Sequence, residues 1–230
     1  MTQLYLNSSL DYLILNGASD WLMVLDETII TPQTPGTFPA TPAPMSISIT
    51  SFAPSFVSVT HGLRRQVRSR GAHAWQMDLR YGGMTRATFA PLWAFLVGRG
   101  GQYGTFTVNL PGLINQGAGG GTPRVNGASQ TGTSLITDGW PATTAILKAG
   151  DWLQVENDAK VYQVMADVTS SGGGAATISI FPSLRVTPSD NFAVATSVIF
   201  TMALSQDTLA VDWSQCVMPV NFEISLVEVL

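Results

Sequence analysis

Charge is scarce in this chain. Only 11% of its 230 residues are Asp, Glu, Lys or Arg, while 45% are hydrophobic. Globular domains ordinarily carry about 25% charged residues, and a water-covered monomer needs that charge for solubility. The shortage implies that partners cover part of the surface. Cys216 is the only cysteine, which excludes an intrachain disulfide and a cysteine-cluster zinc site. Two histidines, His61 and His73, offer little for acid–base chemistry and read as surface or rim residues. No G-x-S-x-G nucleophile elbow exists. The "GAGGG" run at 117–121 lacks the Gly-Lys-Ser/Thr ending of a phosphate loop and reads as a flexible loop. "ENDAK" has too few oxygen ligands for a calcium loop, so Glu156 and Asp158 read as the solvated tip of a hairpin. No catalytic, metal or cofactor-binding residue is expected. The N-terminus has no basic n-region, and Asp11, Asp20 and Asp26 interrupt its apolar stretch. That argues against a secretory signal or a membrane span and for synthesis in a cytoplasm.

What the chain does contain is periodic. "DYLILNGASDWLMVL" at 11–25 places two apolar runs around Asn16-Gly17, a hairpin signal. Five prolines between residues 31 and 44 then predict an extended spacer. Residues 1–44 are thus expected to form a hairpin arm with a proline-rich linker. In "MSISIT" and "HAWQMDLRY" apolar and polar residues alternate, predicting half-buried antiparallel strands; Trp75, Met77, Leu79 and Tyr81 share one face. Phe89, Leu92, Trp93 and Leu96 recur at helical spacing, predicting one helix over about 85–98. Thr85 or Thr88 would cap it, and Pro91 would be tolerable only near the first turn. Strand "TFTVNL" follows, with Phe106, Val108 and Leu110 inward.

From residue 112 a Gly/Thr/Asn-rich loop leads to short strand candidates, "DWLQV", "KVYQVM", "ATISIF" and "VATSVIFTMAL", spaced as in a small barrel or sandwich. The closing "NFEISLVEVL" alternates again and needs a sheet to complete. The expected fold is mainly β: an antiparallel barrel or sandwich with one packed α-helix, an inserted small β-barrel domain and an extended N-terminal arm. Residues 45–111 plus 205–230 would form the first domain and 112–204 the insertion.

Positive charge is concentrated. Residues 1–63 contain no Lys or Arg, while Arg64, Arg65, Arg68 and Arg70 fall within seven positions. Such a run could grip phosphates, be a solvated loop, or pair carboxylates across a protein interface. Asp11, Asp20, Asp26 and Glu27 would be the matching acidic groups on a neighbouring copy. No sequence-specific nucleic-acid motif accompanies the arginines.

"SRGAHAWQMDLRY", the helix–Gly–strand unit "FAPLWAFLVGRGGQYGTFTVNLP" and the closing "FEISLVEVL" together resemble the distal tail proteins, and similar minor tail proteins, of long-tailed bacteriophages. The likeness covers residues 45–111 and 219–230. It implies a virion structural protein, not an enzyme. Such a subunit forms a homo-oligomeric ring, commonly hexameric, at the distal end of the tail and is assembled in the host cytoplasm. Its partners would be the tail tube protein and the hub, baseplate and fibre proteins, with no membrane involved. Two other roles fit: another tail ring protein (tube or terminator), or a receptor-binding module in which Trp140, Trp152, Tyr162 and Phe181 stack on sugar rings.

Overall fold

The computed structural model describes residues 36–110, 115–214, 218–220 and 222–230, together with two short N-terminal strands. Its contacts divide the chain into Met1–Thr34 and Pro35–Leu230. In the first unit Tyr5–Leu6 pairs antiparallel with Leu13–Ile14. The expected turn at Asn16-Gly17 and the run after it lie outside the described residues.

The second unit is mainly β with one helix. A six-stranded host sheet has the order Gly36–Thr37, Phe106–Val108, Phe200–Leu204, Phe222–Glu228, Ala74–Tyr81 and Ser46–Phe52. Ala74–Tyr81 alternates as expected, with Trp75, Met77, Leu79 and Tyr81 buried. Phe222–Glu228 completes the sheet beside it, placing Ile224 opposite Leu79. Phe106, Val108 and Leu110 are inside. Part of the proline-rich spacer also joins this sheet. Gly36–Thr37 adds a parallel strand to Phe106–Val108, and the Phe38 ring stacks on Phe106 at 5.7 Å.

The helix spans Arg86–Val97, with the Thr85 hydroxyl oxygen accepting from the Thr88 N–H. Phe89, Leu92 and Leu96 face the sheet, and Phe89 meets Phe222 edge to face at 5.1 Å. Pro91 is the sixth helical residue, in the second turn and not the first. It removes an N–H that would have served the Ala87 carbonyl. Both residues are exposed, so water can satisfy that carbonyl.

Residues 115–198 form a second six-stranded sheet, ordered Val194–Ala195, Trp152–Val155, Val161–Val164, Ala176–Phe181, Ser134–Asp138 and Arg124–Val125. A bridge between Arg124 and Ala193 brings its two edges together, making it a small barrel. Val125, Leu135, Ile146, Tyr162 and Ile178 fill its interior. The entry is fastened by polar groups. Asn115 donates its amide to the Trp152 and Thr196 carbonyls, and the Asp151 carboxylate accepts from the Gln116, Gly117 and Lys148 N–H groups. A side chain at Gly117 would meet the Ile146 carbonyl oxygen at 2.2 Å, so only glycine fits there.

Two strand expectations change. "VATSVIFTMAL" is not one strand: Val194–Ala195 belongs to the barrel and Phe200–Leu204 to the host sheet. The boundary of the insertion therefore falls before Phe200, not after 204. Ser46–Phe52 is an edge strand, exposed at every position except the partly buried Ile49. Alternation marked it as a strand, but among the described residues little lies above its apolar side chains.

Candidate functional site

Arg65 and Arg68 lie on a strand, Arg65–Ser69, and Arg64 and Arg70 flank its two ends. Ser46–Phe52 pairs with Ala74–Tyr81, and the same two chain segments continue outward as Ser55–Val59 paired with Arg65–Ser69. They form one long hairpin, offset between its halves around Ala53-Pro54. Its proximal half belongs to the host sheet. Its distal half projects, and every residue from Ser55 to Ala72 is exposed. At about 3.4 Å per residue, the five paired positions reach roughly 17 Å before the turn at 60–64.

The two faces of this arm differ. Val57 lies opposite Val67 and Val59 opposite Arg65, giving one face a valine patch. Phe56 lies opposite Arg68 on the other face, and the Arg70 guanidinium covers the Phe56 ring at 4.1 Å. Leu63 stands at the tip, 85% exposed. Of fifteen large hydrophobic side chains exposed among the described residues, eight lie between Met45 and Val67. A two-stranded ribbon in water is marginal on its own, and a concentrated apolar surface marks an interaction site. Arg64, Arg65, Arg68 and Arg70 are therefore gathered on a projecting, partly apolar arm. Their expected acidic counterparts Asp11, Asp20, Asp26 and Glu27 lie outside the described residues.

Where the arm meets the body, a buried polar cluster joins the barrel to the host sheet. Lys160 precedes the barrel strand Val161–Val164, and Glu228 ends the last host strand. Their side chains are 2% and 0% exposed and form a direct ion pair. The Lys160 ammonium also donates to His73 Nδ1 at 3.0 Å and to the His73 carbonyl at 3.2 Å. Glu228 accepts the Trp75 N–H at 2.9 Å and the Val161 N–H at 3.4 Å. The Trp75 indole donates to the Val161 carbonyl at 2.8 Å, and its ring meets Trp152 edge to face at 4.8 Å. Burial, then the neighbouring Lys160 charge, lowers the His73 pKa to about 4. The Lys160 amine is also pushed down by burial, against the opposing pull of Glu228 and Asp158. A surface recess of about 440 Å³ lies beside this cluster, with His73, Lys160, Ser183 and Arg185 in its wall.

Several expectations about side chains need correction. His73 is half-buried at the rim of the recess, as expected, but it is not idle, because Lys160 and Ser51 bond its two ring nitrogens. His61 is exposed, as expected. Asp158 is not a solvated hairpin tip: it is buried and accepts the Tyr162 hydroxyl at 2.6 Å, while Glu156 remains exposed. Trp140, Trp152 and Tyr162 cannot stack on a sugar, because each ring is buried among its own neighbours, and Phe181 is half-buried with an edge contact to His73. Sequence reasoning missed Lys160 and Glu228. A signal existed, because Lys160 is one of only two lysines and adjoins alternating strand residues. No protein-family model matches the chain, and no curated protein does.

Proposed function

We propose that this chain is a virion structural protein, a ring-forming subunit at the distal tail of a long-tailed bacteriophage. It would join the tail tube to the hub and receptor-binding components. One observation carries the assembly reading: the projecting arm, whose valine patch and arginines are exposed among the described residues. Hydrophobic surface of that kind is costly in water and is stabilised when a partner covers it. The tail assignment draws its support from the resemblance of residues 45–111 and 219–230.

A closed ring uses heterologous contacts, in which one face meets a different face. The arm supplies one such face. Outside Arg64–Arg70 the chain carries seven basic residues against fifteen acidic ones, so a neighbouring copy offers the opposite charge. Asp11, Asp20, Asp26 and Glu27 would act as the clasp. Native mass measurement of the full chain tests assembly: a closed multiple is expected, and a monomer at all concentrations overturns it. Assembly by a chain lacking residues 1–30 would rule out the clasp. Locating the protein at the tail end of particles by cryo-EM tests the tail assignment separately.

A further inference from the structure

We propose that Lys160 and Glu228 condense to an intramolecular isopeptide bond that covalently ties the inserted barrel to the last strand of the host sheet. Four observations support it. The amine and the carboxyl group are in direct contact and are shielded from water, with side chains 2% and 0% exposed. Main-chain N–H groups of Trp75 and Val161 point at the two carboxyl oxygens, at 2.9 and 3.4 Å, where they would hold the charge that develops on oxygen during attack. His73 Nδ1 lies 3.0 Å from the amine and can take its proton. The choice of residue is also informative. Arginine is the usual partner for a buried carboxylate, because its planar fork bonds both oxygens. This chain uses nine arginines and two lysines, yet it places a nucleophilic amine at this position.

Burial pushes the Lys160 amine toward its neutral form. Proton transfer within the pair gives an amine and a carboxylic acid. The Lys160 Nζ lone pair attacks Glu228 Cδ, forming the C–N bond. His73 accepts a proton from the nitrogen and returns it to the departing hydroxyl. One C–O bond breaks, one water leaves toward the adjoining recess, and nothing is oxidised or reduced. His73, whose lowered pKa keeps it unprotonated at neutral pH, is suited to that shuttle.

Mass spectrometry of the full-length folded protein tests the bond. The expected intact mass is below the sequence mass by one water. Trypsin should fail to cut after Lys160, and peptides 149–185 and 186–230 should remain joined after cleavage at Arg185. Lys160→Arg should restore the sequence mass and separate the peptides. A water lost from a different site, such as an Asp-Gly step, would leave these peptides separate and overturn the proposal. An intact mass equal to the sequence mass would overturn it too, showing a noncovalent ion pair. These outcomes do not depend on whether the protein forms a ring.

Discussion

The two halves of the long hairpin are built from the same alternating pattern but have opposite fates. In the proximal half, Trp75, Met77, Leu79 and Tyr81 are buried in the core beside the closing strand. In the distal half, Val57, Val59 and Val67 share one face too and remain exposed. Alternation sorts side chains onto faces, but only a covering layer makes one of those faces a core. On Ala74–Tyr81 that face is covered within the chain, while Ser46–Phe52 at the sheet edge stays largely exposed. Among the described residues the distal face has no such cover, which is why it is the surface proposed for assembly.

Substitutions can sharpen that contrast. The largest effect should come from the cluster at the junction. Lys160→Met leaves Glu228 buried without its partner, and thermal or denaturant unfolding should show a loss of about 3–5 kcal/mol. In the proximal half, Leu79→Ala should cost about 2–5 kcal/mol, because it opens a cavity in a fully buried position. Equal stability of Leu79→Ala and the parent protein would break the comparison.

Acid should act at the junction as well. His73 has its folded-state pKa lowered from 6.5 to about 4, so the unfolded chain binds the proton more readily. Stability should therefore fall as pH drops from about 6.5 toward 4 and receive no further contribution from His73 below that. Unfolding curves compared between the parent and His73→Gln would isolate this part of the pH dependence. The smallest effect on folding should come from the arm. Val67→Ser should change stability by less than about 0.5 kcal/mol while reducing the assembled mass. Unimpaired assembly by Val57→Ser/Val67→Ser would remove the valine patch from the interface.

Much of the fold was legible because its signals are local. Phe89, Leu92 and Leu96 recur at the helical spacing, and Phe222, Ile224 and Leu226 alternate at the strand spacing. The divided segment at 194–204 was not legible. A continuous run of β-forming residues does not reveal that its two ends pair in different sheets. Aromatic residues were ambiguous for a similar reason. Trp140, Trp152 and Tyr162 have the chemistry to stack on a sugar or to fill a core, and burial decided for the core.

Composition and periodicity by themselves determined that this is a mainly β protein with one helix, a concentrated arginine run and little charge. Those properties depend on each residue and its near neighbours. Tertiary structure alone decided that the arginines stand on a projecting ribbon, and that Lys160 and Glu228, 68 positions apart, meet out of water. Such meetings depend on how distant strands pair, and no short stretch of sequence carries that information.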